Sequence, residues 1–190
     1  MLYRKAHTEL EILNKKLNDD SFLKEYKKEY DDYKTSLFPL MLGKLLVSCG
    51  NFIYGKEPSY LKFRAVEVIA RVPYHSWTSS AYTFLTLFYT NENKALKLSN
   101  VATFAQIAQD NETMHVVVIS QLVKEERAGF IRHTCIPLFF AFFYFWASYF
   151  LHLINPRYSY ELNYLFESHA FEQYNRFIET RGEELKKKPI

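Results

Sequence analysis

The stretch Asp110–Leu122, DNETMHVVVISQL, sets a glutamate and a histidine three residues apart, Glu112 and His115, against Val116, Val117 and Val118. Residues at that spacing share a helix face. The pair is either a surface pair at the edge of a core helix or an inward pair that holds something. The choice rests on whether other helices bring similar groups to the same place.

Composition limits what those helices can be. A chain of 190 residues suits one domain with a real core. With 48% apolar and 24% charged residues it reads as globular rather than disordered. Only 5 Gly and 6 Pro argue for long helices over many turns. Aromatic residues reach 18%, a share that suits packed cores and membrane interfaces alike. The net charge of +3 is too weak to imply nucleic acid. Cys49 and Cys135 are far apart with no CxxC, and both read as buried free thiols in a reducing compartment. The start, MLYRKAHTELEI, lacks the apolar core of a signal peptide, and its acidic residues do not suit a transit peptide.

The periodicity predicts a charged amphipathic helix over Leu10–Lys34, followed by the apolar SLFPLMLGKLLVSCGNFIYG, too interrupted for a membrane span. That segment reads as either interfacial or a buried connector. As an interfacial helix it should expose Leu37, Phe38, Leu40, Met41, Leu45 and Leu46, with Lys44 at the rim. Four long helices follow: Ser59–Thr90, Lys94–Arg127, His133–Ile154 and Arg157–Glu184, with breaks at NEN (91–93) and NP (155–156). Pro73 should kink the first. IPLFFAFFYFWASYFLHLI, in the third, is long enough to span a bilayer, yet aromatics fill its middle and His152 lies near its end. It reads as a bundle helix with one lipid-facing or buried side.

Three of these helices carry one glutamate in an otherwise apolar or aromatic stripe. The stripes are Tyr60, Phe63, Glu67, Ala70, Tyr74; Ala108, Glu112, His115, Ile119, Leu122; and Tyr160, Tyr164, Glu167, Phe171, Tyr174. A buried carboxylate is costly unless it is neutralised, paired or bound to metal. One such residue is ordinarily a satisfied ion pair. Three on three helices, one with a histidine a turn later, form the pattern of di-iron carboxylate bundles. Carboxylate oxygens are hard ligands able to bridge two irons, and imidazole suits iron as well. If the carboxylates converge without metal, at least one carboxyl pKa should rise.

At this point the residues resemble a known family. AVEVIARVPYHSW is similar to the first ligand helix of the alternative oxidases, most like their plastid terminal oxidase branch. DNETMH resembles the family's N-E-x-x-H motif, and INPRYSYELNYLFESHAFEQYNRFIETRGEELKKKP its third ligand helix. The resemblance runs from about Leu61 to Pro189; residues 1–58 carry no motif of it. It implies an all-α, ferritin-like four-helix bundle in a single domain, 1–190. Residues 1–58 would form the charged helix and interfacial segment, and 59–190 the bundle. It further implies a non-haem di-iron quinol oxidase with two iron ions, taking ubiquinol or plastoquinol and reducing O2 to water. Glu67, Glu112, His115 and Glu167 would be iron ligands, Tyr174 the tyrosine beside the centre, and Asn111 the residue preceding the second ligand. Lys62 stands where the family has a basic residue near the quinol, normally Arg; Arg64 is a substitute. His169 and Tyr174 would complete the quinol site. The family is monotopic in one leaflet and allows a homodimer; a bacterial inner membrane, cytoplasmic face, is expected, or an organelle membrane for a processed chain.

One departure bears on the site. The family's fourth ligand helix adds a second Glu-x-x-His, and this sequence reaches KKKPI without one. His7, His75, His133 and His152 read as packed or surface histidines. The expectation is a bundle lacking its last helix, with an open apolar groove between the three glutamate helices and weak iron binding. The rival readings are a non-catalytic membrane-associated remnant with an incomplete metal site, and a soluble di-iron oxygenase or ferritin-type carrier.

Overall fold

The computed structural model describes residues 8, 11–13, 15–16, 18–123 and 128–187. The expectations for His7 and for a helix end at residues 124–127 lie outside them. The described residues contain helices and no strand: α1 (Asp20–Asp31), α2 (Leu37–Tyr54), α3 (Tyr60–Ala70), α4 (Val72–Phe88), α5 (Glu92–Leu122), α6 (Ile136–Ile154) and α7 (Pro156–Leu185). A π-helical turn, Ile131–Cys135, leads into α6.

Side-chain caps set most boundaries. Asp19, Ser59, Asn91 and Asn155 each accept a hydrogen bond from a backbone N–H of the first turn of α1, α3, α5 and α7. Such a cap is worth about 1 kcal/mol. Gly55, at φ 85°, ends α2 in a conformation that favours glycine. The expected single helix over Ser59–Thr90 is two helices, divided at Arg71 with Pro73 in the first turn of α4. A proline that cannot donate to the preceding turn starts a helix more easily than it continues one.

α4 packs on α5 and α6, α3 on α5 and α6, and α7 on α2 and α6. Gly43 brings α2 against α7: a Cβ there would meet Leu165 Cδ1 at 3.0 Å. Two apolar clusters fill the interior. Phe63, Ile119, Val123 and Phe177 form one, and Tyr144, Leu151 and Leu162 the other.

α2 and α6 lie antiparallel on one side. The Tyr54 hydroxyl at the end of α2 donates to the Arg132 carbonyl just before α6, at 2.7 Å. At the opposite end, the Ser36 N–H donates to Glu161 in the first turns of α7, 3.0 Å away. Leu37, Phe38, Met41 and Leu45 of α2 are exposed, with Lys44 beside them. Phe139, Phe142, Phe143, Trp146 and Phe150 of α6 are exposed as well. Leu40 and Leu46 depart from the expected patch: both are half-buried, and Leu46 packs on the Tyr144–Leu162 cluster. The cysteine expectation is corrected too. Both thiols are free, but Cys135 is exposed and Cys49 only half-buried, since Cys135 falls in the surface π-turn.

Candidate metal centre

Three helices deliver the carboxylates. α3 carries Glu67, 4% exposed, and α5 carries Glu112, 8% exposed. Glu167 on α7 is half-buried. The His115 Nδ1 lies 3.0 Å from Glu112 Oε2 and 3.6 Å from Glu67 Oε2. One ligand atom from each of these three residues falls within 4.8 Å of the others. Glu167 stands outside that group. Its Oε1 accepts from the Tyr74 hydroxyl at 2.8 Å, and Asn163 Nδ2 donates to the same hydroxyl at 3.1 Å. It remains close enough for its charge to act on Glu112.

The electrostatics record the crowding. Burial pushes the Glu112 carboxyl up to about 7, and hydrogen bonding and charge from Glu67 push the same way. Burial also raises Glu167, against the lowering effect of the Tyr74 hydrogen bond. Tyr174 donates its hydroxyl to Glu67 Oε1 and stacks on Phe63 with ring centroids 4.3 Å apart. Burial, then the bond to Glu67, raises its phenol well above the usual range.

The third stripe needs correcting. Tyr160, Tyr164 and Phe171 are exposed at 39%, 39% and 56%, so the stripe is not the buried one expected. Ser159 and Asn163, eight and four residues before Glu167, are buried instead. Helical spacing allows either i+3 or i+4 neighbours, and the apolar residues misled because aromatics also cover the outside of this bundle. The second stripe is also incomplete. Leu122 is exposed, as is Val118, and the His115 side chain is 48% exposed although its ring reaches the carboxylates. Asn111 is exposed.

Of the residues expected to meet a quinol, Lys62, His169 and Tyr174 line one cavity of about 80 Å³ between α2, α3 and α7. Leu46, Val47 and Phe166 make much of its apolar wall. Arg64 is elsewhere: its guanidinium donates to the His133 carbonyl, 3.1 Å away, beside Thr134 and Pro137. Two residues, little more than half a turn, separate Lys62 from Arg64 and turn them to different faces. Lys62 is only 4% exposed. Its ammonium donates to Asn51 Oδ1, the Gly55 and Lys56 carbonyls and Gln173 Oε1 at 2.9–3.2 Å. Burial lowers its pKa.

Sequence reasoning missed Asn163 and Tyr144, whose buried Oδ1 and hydroxyl have no hydrogen-bond partner. It missed Glu161 too, 3% exposed and bonded by Tyr33, Ser36 and Arg157. Burial pushes Glu161 up, but those donors outweigh it and hold its carboxyl at about 2. The signal for Asn163 was its place four residues before Glu167; Tyr144 had none.

The residues fit a metal ion on one structural ground beyond their types. Glu67 Oε2 is buried and accepts no hydrogen bond. A buried lone pair facing an imidazole and a carboxylate kept partly protonated by crowding is what a cation would relieve. A model of the alternative oxidase family matches residues 37–188, most of the chain.

The chain belongs to the alternative oxidase family.

Within that family it is 30% identical over 134 residues to "Ubiquinol oxidase 4, chloroplastic/chromoplastic" of Arabidopsis thaliana, and so resembles the plastid oxidase branch. The match covers 70% of this chain and 36% of the plant protein, so the chain spans about a third of that relative's length. No solved structure matches. The described residues form helices only, the all-α fold that the resemblance implied.

Proposed function

We propose that this chain is the catalytic body of a monotopic membrane quinol oxidase, holding a pair of irons and reducing O2 to water. One observation carries the reading. Tyr174 lines the apolar cavity and donates its hydroxyl to Glu67, so a single side chain touches both the quinol space and the candidate metal ligands.

The cavity lies behind α2, whose other face is apolar and exposed. α2 and the Ile131–Ile154 segment are long and apolar enough to cross a bilayer, with 11% and 22% of their windows buried. α2 packs against α7, and α6 against α3, α4 and α7, which suits a protein lying flat in one leaflet. An 18-residue helix laid flat gives about 27 Å of greasy edge. A lipid-soluble quinol would enter past α2 directly from the acyl region.

Each residue has a task in the pocket. Lys62 presents a buried cation among neutral acceptors, suited to a quinol oxygen as its hydroxyl loses a proton. His169 lines the same wall, its pKa lowered by burial and then by the Lys62 charge. The Phe63 ring stacks on Tyr174 and fixes its orientation beside Glu67. Glu67, Glu112, His115 and Glu167 would hold iron, which when bound supplies the electron transfer to O2. Two quinols deliver the four electrons and four protons that turn O2 into two waters, so the reaction balances without another reductant. Among the described residues the ligands number three carboxylates and one imidazole.

The test is oxygen uptake with a short-chain quinol by iron-loaded protein in liposomes. The chain should be compared with one extended by a Glu-x-x-His helix. Cyanide-insensitive uptake is expected, greater in the extended protein. Iron below one atom per chain in both, with no uptake, would overturn the oxidase and leave a non-catalytic membrane protein.

A further inference from the structure

A second polar column runs between α4, α6 and α7, away from the carboxylates. Ser76, Ser80, Ser148 and Ser159 are at most 1% exposed, and His152 is 2% exposed. Ser76 Oγ donates to Ser148 Oγ at 2.8 Å, and Ser148 and Ser159 share a hydrogen bond of 2.9 Å. Trp77 Nε1 donates to Ser159 at 2.5 Å.

His152 has both ring nitrogens engaged. Nδ1 is 2.5 Å from Ser80 Oγ, and Nε2 is 3.0 Å from the Tyr160 hydroxyl. Ser80 Oγ also lies 3.1 Å from the Trp77 carbonyl, and with its one hydroxyl proton given there its oxygen accepts the Nδ1–H. That tautomer leaves Nε2 bare, as the acceptor of the Tyr160 O–H. Burial lowers the imidazole pKa to about 4, so the ring is neutral in ordinary conditions.

Tyr160 faces outward, in a cleft with Tyr33 and Arg157. Its ring meets Trp77 edge to face, centroids 4.8 Å apart at 89°. Trp77 meets Tyr74 in the same way, 5.1 Å apart at 85°. The Tyr74 hydroxyl is bonded to Glu167. Contacting rings thus join a candidate metal ligand to the surface without an aliphatic gap.

We propose that Tyr160 and His152 form a proton-coupled redox pair, the surface terminus of a Glu167–Tyr74–Trp77–Tyr160 chain that carries single oxidising equivalents out of the metal centre. The pair stands on its own geometry; its connection to the centre rests on the function proposed above. The oxidant is an oxygen radical left when O2 is incompletely reduced at the centre. It takes one electron from Trp77 by way of Tyr74 and one proton from solvent, ending as hydrogen peroxide or water, and Trp77 is left as a radical cation. Tyr160 then gives one electron to Trp77, which returns to neutral, and its phenolic proton to His152 Nε2. The products are a neutral tyrosyl radical and an imidazolium whose Nδ1–H still bonds Ser80. A small dissolved one-electron reductant, such as ascorbate or a thiolate, returns the electron to the exposed Tyr160 ring, and His152 returns the proton. Without such a drain the oxidant would remain beside Phe63 and Tyr174.

The test places 3-fluorotyrosine at position 160 of the full chain, because fluorine splits the radical's magnetic resonance spectrum as no other tyrosine here can. In the metal-free arm, photogenerated ruthenium(III) tris-bipyridine oxidises the protein. A fluorine-split tyrosyl signal is expected, forming at a rate independent of buffer concentration because the proton goes to His152. No split signal overturns the pair, and a rate that rises with buffer base overturns His152 as the acceptor. In the loaded arm, ferrous protein meets O2 with bound iron counted in parallel. The same signal is expected, with its yield cut about tenfold in Trp77→Phe. Parental yield in that variant overturns the route through Trp77. A chain that takes up no iron would fail the oxidase reading, while the metal-free arm still decides the pair.

Discussion

Between α3, α5 and α7 lie Glu67, Glu112, His115 and Glu167; between α4, α6 and α7 lie Ser76, Ser80, Ser148, His152 and Ser159. Both groups are polar and sit inside the same bundle. They differ in how completely they satisfy themselves. Every serine in the second column has a partner, and both nitrogens of its histidine are used. The first leaves Glu67 Oε2 bare and holds a proton on Glu112 against its ordinary tendency. A closed polar network specifies packing; an unfinished one specifies a ligand. The contrast separates two clusters that burial alone would rank together.

The sharpest way to break the comparison is to remove a ligand from the unfinished cluster. Glu112→Gln should weaken ferrous iron binding by about 100-fold or more while leaving the metal-free fold as stable or more so. Anaerobic iron titration and thermal melting read the two effects. Unchanged affinity would show that the cluster is not the metal site. The closed column should respond in the opposite sense. Ser148→Leu places a larger apolar group between Ser76 and Ser159, 2.8 and 2.9 Å away. It should cost about 2–4 kcal/mol through overpacking and stranded hydroxyls, with iron affinity kept. Denaturant unfolding measures it.

The pH dependence follows from Glu112. Its folded-state pKa of about 7 lies above the ordinary 4.5, so the metal-free folded state holds a proton that the unfolded chain releases. This contribution is fully present below pH 4.5 and is lost as pH rises through 7, on the order of 3 kcal/mol in all. Iron affinity should run the other way and increase over that window, because the cation displaces the proton. Melting curves with and without iron from pH 5 to pH 8 would show the crossing, and parallel curves would exclude it.

The smallest effect is expected at Lys62. Lys62→Met should raise the KM for quinol roughly tenfold, equivalent to losing about 1.4 kcal/mol of binding, with iron content unchanged. Equal losses in kcat and iron content would place Lys62 in structural support of the centre instead.

How far the sequence reveals these two regions differs for a physical reason. Glu67, Glu112 and Glu167 stand out because a charge within an apolar stripe breaks a period that hydropathy makes visible. The breaks at NEN and NP were legible, and Asn91 and Asn155 within them cap the helices that follow, which begin at Glu92 and Pro156. The serine–histidine column left no trace of that kind. Serine is common on any helix, and only tertiary packing tells which serines face one another across three helices. The break at Arg71 was read as a kink, because a proline in a helical pattern fits both outcomes until the neighbours are placed. Arg64 was paired with Lys62 on proximity in sequence alone, and two residues on a helix point about 200° apart.

Gly43 has a consequence for the protein's history. Its missing side chain sets how near α2 lies to α7, and Leu46 and Val47, one turn further on, wall the cavity. A methyl group at position 43 would meet Leu165 Cδ1 at 3.0 Å, so either that side chain gives way or α2 shifts slightly outward. A lineage that altered this residue would reshape the cavity behind α2 without touching any glutamate or lysine. The shape of that cavity therefore rests partly on an atom that is not there.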